Sequence, residues 1–240
     1  MEWKAKILSI KDFEDEGKII DRVIELECPN DFSFKPGQYV MIAHNKVKNK
    51  HDPKQLRWGS MSIASSNHQK GKIELVIAAG EPTGITYFVA NKCKKNDYLL
   101  LRGAFGVFEI KEPYDELVLV GSGTGLAPLM AMIRSKLDSG EKKPMTLFFG
   151  FKEKNLFLFQ EELEQLKQKH PNFQFFYITS RELSLEGKQG HVQELLKDHS
   201  FNKKKNIQFF LCGPPKAVPD ISKTLQGMGF SEKQIHFEQW

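Results

Sequence analysis

The chain has 240 residues, of which 40% are hydrophobic and 27% charged. That suffices for one large domain or two modest ones and is too apolar for a disordered chain. The 35 Lys+Arg against 30 Asp+Glu leave a net charge of +5, carried by lysine runs near residues 46–54, 92–95, 142–143 and 203–205. These runs read either as a solvated surface or as a field that steers acidic partners. No nucleic-acid-binding motif accompanies them, so nucleic acid is not expected. Cys28, Cys93 and Cys212 lie far apart and form no CxxC pair, which argues against a disulfide framework, a zinc knuckle and a self-contained iron–sulfur cluster. No metal site is expected. With no apolar run of about 18 residues and no apolar leader after Met1, a soluble, cytoplasmic protein without a membrane span is expected.

In chain order, the first half reads as strands at residues 3–10, 19–27, 38–43, 60–64, 72–79 and 97–102, bounded by Gly, Pro, Asn or Asp. One short helix is predicted at 84–91, and a polar, lysine-rich loop fills 43–56. This spacing suggests a small antiparallel barrel. After residue 111 the pattern changes. Buried strands at 116–120, 145–149, 173–178, 207–211 and 235–238 alternate with helices at 127–138, 160–169, 191–197 and 219–228. Such alternation marks a doubly wound parallel sheet. The proline-containing stretch KEPYD, residues 111–115, divides the chain into 1–112 and 113–240.

Four segments carry candidate chemistry. VLVGSGTGLAP (118–128) runs from strand through glycine turn to helix, so Gly123, Thr124 and Gly125 can bring free N–H groups close to an anion. Leu126 replaces the third glycine of GxGxxG, and no Gly-Lys-Ser/Thr follows. FLCGPP (210–215) ends a strand with Cys212, Gly213 and Pro214 on the edge where such sheets bind ligands; alternatively Cys212 is simply a small buried residue. LRWGSMSIASS (56–66) offers Arg57, Ser60, Ser62 and Ser65 to a phosphate-bearing ligand, or merely solvent-facing hydroxyls. HFEQW ends in Trp240, which either packs into a core or stacks on a flat ligand.

Taken together these segments resemble the ferredoxin–NADP reductase superfamily over nearly the whole chain. FKPGQY (34–39) is similar to the F-x-P-G-Q-Y turn, MSIASS (61–66) to part of the flavin motif R-x-Y-S, and GAFGVF (103–108) to G-P-x-G-x-F. GSGTGLAP resembles the pyridine-nucleotide pyrophosphate loop and LCGPP the nicotinamide-side motif. The resemblance implies two domains, an antiparallel Greek-key β-barrel that binds flavin followed by an α/β doubly wound sheet that binds NAD(P).

The activity it implies is hydride transfer between NAD(P)H and FAD, with electrons passed to a separate acidic acceptor such as ferredoxin or flavodoxin. The alternative is an NAD(P)H:flavin reductase that uses free flavin as substrate. Ser62 matches the serine near flavin N5, flanked by Met61 and Ile63, and the backbone at Val76 and Ala78 matches the isoalloxazine edge. Gly84, Ile85 and Thr86 resemble the helix start that receives flavin phosphates. Cys212 corresponds to a residue beside the nicotinamide, while Glu238 and Trp240 resemble the carboxylate-x-aromatic ending. Gly59 occupies the arginine position of R-x-Y-S; either Arg57, two residues back on the same strand face, serves instead, or R-W-G-S (57–60) is the motif. Ser180 and Arg181 resemble the stretch that NADP-dependent members use around the 2′-phosphate, so FAD and NADPH are expected, with FMN and NADH as alternatives. The sequence leaves the oligomeric state open.

Overall fold

The computed structural model describes residues 1–183 and 188–239. The chain folds into two compact units, Met1–Glu109 with Met130–Ser135, and Ile110–Leu129 with Lys136–Trp240.

In the first unit, β1 (Glu2–Asp15), β2 (Lys18–Glu27), β3 (Tyr39–Ala43), β4 (Gly59–Ser62), β5 (Lys72–Ala78) and β6 (Tyr98–Phe105) form one antiparallel sheet. The strand order is β4-β3-β6-β1-β2-β5. A bridge from Ile63 to Leu75 brings its two ends together. The result is a nearly closed barrel in which β6 returns beside β3, the Greek-key connection. Alternation supplies the core: Val40 and Ile42, Ile73, Leu75 and Ile77, and Leu99 and Leu101 point inward and are almost wholly buried. The helix α1 (Ile85–Lys92) adds Ile85 and Val89 to the same core.

β1 is longer than the predicted 3–10. It pairs with β6 through Lys6 and with β2 from Ile7 onward, so one strand serves two neighbours. Its acidic end, residues 12–15, reads as loop but forms a hairpin arm, closed at Glu16 and Gly17 with φ of 48° and 72°. Such a turn matches the strand twist.

The second unit holds β7 (Glu116–Ser122), α2 (Leu126–Asp138, of which Met130–Ser135 count with the first unit), β8 (Met145–Phe151) and α3 (Gln160–Lys169). β9 (Phe173–Thr179), α4 (Val192–Asp198), β10 (Ile207–Gly213), α5 (Ala217–Gly227) and β11 (Ile235–Gln239) complete it. All five strands are parallel, in the order β11-β10-β7-β8-β9. On one face Val118, Val120 and Phe148 pack against Val192 and Leu196 of α4 and Val218 and Ile221 of α5. Phe149, Phe151 and Phe157 form a ring cluster with centroids 4.5–5.8 Å apart. The continuous apolar run of β7 is thus buried on both faces, as parallel strands require. α5 starts two residues before the predicted 219, because Pro219 falls in the first turn, where a missing N–H costs nothing. The expected two-domain fold, barrel then doubly wound sheet, is the one observed.

Candidate functional site

In the parallel sheet the chain winds one way from β7 through β8 to β9 and the other way through β10 to β11. The reversal lies between β7 and β10, the place where open α/β sheets bind ligands beyond their strand ends. β7 ends in a 3₁₀ turn at Gly123–Gly125, directly before α2. Gly123 has φ of 56°, and a Cβ there would meet nothing within 4 Å. Gly125 is the opposite case. A Cβ on it would stand 2.3 Å from the Cys212 carbonyl oxygen and 2.7 Å from the Gly213 nitrogen. The turn therefore lies against the end of β10, with no side chain between.

Cys212 is in register with Gly121 on one side and Glu238 on the other, and its side chain is wholly buried. Pro214 begins the turn into α5, its carbonyl accepting the Ala217 N–H at 2.9 Å. Glu238 Oε2 is buried and has no hydrogen-bond partner among the described residues. Burial raises its carboxyl above the ordinary range. The folded chain therefore favours the protonated form more than a solvated carboxyl would. Trp240 lies outside the described residues.

At the end of β9, backbone bonds from Ser180 to Phe151 O (2.9 Å) and Arg181 to Lys152 O (3.0 Å) carry the chain over the end of β8. The Arg181 side chain is more than half exposed and its Nη1 lies 3.1 Å from Glu153 Oε1. His191 caps α4 in a capping box with Glu194.

The barrel holds its own site at the start of α1. Gly84 precedes the helix and offers no side chain to cap it, so the first N–H groups are left for another acceptor. Arg57 stands over them. Its Nη1 donates to Thr83 O (3.0 Å) and Thr83 Oγ1 (3.3 Å), and its Nη2 is 4.0 Å from the Cβ position of Gly84. Gly59 explains why the helix can come so close to β4: a Cβ there would meet Ile85 Cγ2 at 2.6 Å. A guanidinium, uncapped amides and a hydroxyl are groups that can hold a phosphate.

Ser60 and Ser62 share the outer face of β4, and Ser62 is in register with Tyr39. Met61 and Ile63 turn the other way and pack on the barrel core, so any contact they make with a ligand is through backbone. Val76 and Ala78 lie on the outer face of β5, opposite the inward Leu75 and Ile77.

Residues 119–223 match the family described as oxidoreductase NAD-binding domain. The fold is similar to that of a ferredoxin NADP+ reductase from Neisseria gonorrhoeae with bound FAD and NADP, with a TM-score of 0.84 and 21% identity over 99% of this chain and 98% of that one. The FAD/NAD-binding domain of a nitric oxide dioxygenase from Vibrio cholerae gives a TM-score of 0.85 at 17% identity, over 99% and 98% of the two chains. The chain has the fold of these ferredoxin–NADP reductase-like structures. It is 26% identical to the phenol hydroxylase P5 protein of Acinetobacter pittii, over 100% of this chain and 65% of that protein. Against the toluate 1,2-dioxygenase electron transfer component of Pseudomonas putida it is 24% identical, over 88% of this chain and 60% of the relative. The chain thus spans less than two thirds of the length of these two relatives.

Within this fold, the sequence marked Arg57, Gly84 and Gly125 but missed three residues. Thr83 anchors Arg57, and Glu81 lies 3.8 Å from Arg57 Nη2; both sit in GEPTG (80–84), a helix-start pattern in which a threonine is itself a signal. Arg22 holds the far end of α1 through the carbonyls of Val89 and Cys93, each at 2.8 Å. Its only mark in the sequence is a charge inside an apolar strand. Among the described residues no group of three or more His, Cys, Asp or Glu is placed to hold a metal, and no helix is long and apolar enough to cross a membrane.

Proposed function

We propose that this chain is the flavin- and nicotinamide-binding part of an electron-transfer reductase, which moves hydride from NAD(P)H to flavin and passes electrons to a separate acceptor. The observation that carries the reading is the pair of anion cradles. One is the uncapped start of α1 under Arg57, the other the Gly123–Gly125 turn packed on the end of β10. We assign residues 1–112 to flavin and 113–240 to the nicotinamide nucleotide.

Bound flavin supplies the exchange of two electrons for one. The chain supplies positioning. The first amides of α1, with Gly84, Ile85 and Thr86, and the Arg57 guanidinium hold the flavin phosphate. Ser62 offers its hydroxyl on the outer face of β4 to the ring. The amides of Gly123, Thr124 and Gly125 hold the nucleotide pyrophosphate, and Ser180 with Arg181 holds a 2′-phosphate, so NADPH is the proposed donor and FAD the proposed flavin. Glu238 holds or releases a proton at the strand ends. The acceptor is an acidic electron-transfer protein of the ferredoxin or flavodoxin kind, steered by the lysine excess. Relatives named as reductase or electron-transfer components of oxygenases support a separate protein acceptor without naming its kind. Buried thiols at Cys28 and Cys93 accord with a cytoplasmic setting.

A second reading, flavin as an exchangeable substrate, is favoured by the inward turn of Met61, which leaves the R-x-Y-S position without an aromatic stack. One experiment separates the two. Purified chain is mixed with NADPH anaerobically, with and without added FAD, and bleaching of the flavin band is followed. Yellow protein that bleaches unaided supports the first reading. Colourless protein that oxidises NADPH only with added flavin supports the second, and no oxidation in either case removes both.

A further inference from the structure

We infer that Glu81 occupies the charge environment of the flavin-phosphate cradle and competes with the phosphate, so that it sets how strongly the chain selects phosphorylated flavins. The inference rests on the reading of α1 as the phosphate-binding helix start.

Two cations converge on this carboxylate. Glu81 Oε2 lies 3.8 Å from Arg57 Nη2 and 3.7 Å from Lys50 Nζ. Neither distance is a hydrogen bond, and the Glu81 side chain is 74% exposed. An ion pair of this kind is weak and solvent-screened. The carboxylate can therefore be displaced, although the backbone that carries it is fixed: Glu81 O accepts the Gly84 N–H at 2.7 Å, closing the turn that leads into α1. Arg57 has a second tie that is independent of Glu81, its bonds to Thr83. It stays over the helix start whichever anion is near.

FMN, a phosphate monoester, brings close to two negative charges against amides, Arg57 and Lys50, and the FAD pyrophosphate brings one on each phosphate. Either meets Glu81 as a like charge. Displacing Glu81 frees Arg57 and Lys50 for the ligand, but the remaining repulsion lowers affinity for FMN and FAD. Riboflavin has no phosphate and meets none of this. Glu81 thus acts on the phosphate alone.

The test is equilibrium titration of the full chain and of Glu81→Gln with FMN, FAD and riboflavin, read by flavin fluorescence, with Arg57→Met as the reference variant. Glu81→Gln keeps the backbone turn, and an unchanged thermal midpoint confirms that the fold is intact. The Kd for FMN and FAD is expected to fall about threefold to tenfold, with riboflavin moving less than about twofold. Equal tightening of all three flavins, or no tightening of any, overturns the inference. If the unmodified chain prefers FMN to riboflavin and Arg57→Met abolishes that preference, the cradle stands and only the role of Glu81 is at stake. If the unmodified chain binds FMN and riboflavin equally and Arg57→Met changes nothing, the phosphate reading of α1 falls and takes the inference with it.

Discussion

Arg22 and Val89, on β2 and α1, are joined by a 2.8 Å hydrogen bond from Nη1 to the helix carbonyl. The same nitrogen donates to Cys93 O at 2.8 Å, while Nε and Nη2 clasp the Asp12 carboxylate at 2.6 and 2.9 Å. Arg22 is therefore a side-chain cap for the C-terminal end of α1, and it holds the helix whose other end meets Arg57. Arg22→Met is expected to cost about 2–3 kcal/mol, less than a fully buried pair because Asp12 keeps some contact with water. Adding Asp12→Asn should recover only part, since the two carbonyls stay without their donor. Denaturant midpoints of the singles and the double measure this. Full recovery in the double variant would mean that the carbonyl contacts contribute nothing.

Legibility in the sequence followed the range of the interactions. The strands β7, β8 and β10 and the glycine turn are written in local runs, because a parallel strand buried on both faces must be apolar throughout. The hairpin arm of β1 was hidden by its acidic residues, which look like loop until Asp12 meets Arg22. Arg22 itself contacts carbonyls 67 and 71 residues away, and no window of sequence contains that. At the candidate site, motif spacing pointed to Arg57 and Gly125. It was silent on which way Met61 faces, because that depends on the pairing of β4 with β3.

Gly125 gives a sharper test of the crevice. Alanine there places a carbon 2.3 Å from the Cys212 carbonyl oxygen, so the turn or the end of β10 must shift. Gly125→Ala should weaken nicotinamide-nucleotide binding by more than about tenfold, because the amides lose their aim. Flavin affinity should stay unchanged. Gly227 is the control, since a Cβ there meets nothing within 4 Å. Calorimetric titration of both variants decides the matter; equal nucleotide affinity in the two would show that the close approach has no part in binding.

Acid stability should reflect the partly buried imidazoles, His199 and His236 among them. Burial lowers the pKa of His199, against a smaller opposing pull from Glu116, and burial with help from Lys111 lowers that of His236. His199 packs beside Phe148, Phe176 and Phe201. Both are neutral in the folded chain and protonate more readily when it unfolds. Their stabilisation is therefore present above about pH 6.5 and is lost as pH falls through the lowered folded values. The thermal midpoint should drop as pH falls below about 6.5, and His199→Phe should flatten part of that slope. An unchanged profile would mean that His199 is equally basic in both states.

Glu238 has the opposite sign. Its carboxyl is raised by burial, so the folded state favours the protonated form and loses stability as pH rises through the raised value. Glu238→Gln should therefore be more stable than the parent at pH 8, with the difference closing towards pH 4. The same variant should slow the reduction of bound flavin if this carboxyl handles a proton in the reaction. Thermal melts at both pH values and stopped-flow reduction read the two effects separately. Equal stability at pH 8 would show that the carboxylate is solvated after all.

Coenzyme choice turns on Arg181. Its guanidinium is more than half exposed at the end of β9 and already faces Glu153 at 3.1 Å. That pair is exposed and weak, so a dianionic 2′-phosphate can take the guanidinium from the carboxylate through a bidentate contact. The phosphate–arginine contact should contribute about 1.5–3 kcal/mol, on the order of ten- to a hundredfold in affinity. NADPH is therefore expected to exceed NADH in kcat/KM by at least about tenfold, and Arg181→Ala to erase most of the difference. Glu153→Gln is the complementary variant. It removes the competing carboxylate and should widen the preference, because NADH has no phosphate to benefit. Steady-state kinetics with both coenzymes on all three proteins carry the test. If the parent uses the two equally, and Glu153→Gln leaves them equal, Arg181 holds no 2′-phosphate and serves only its neighbours in the fold.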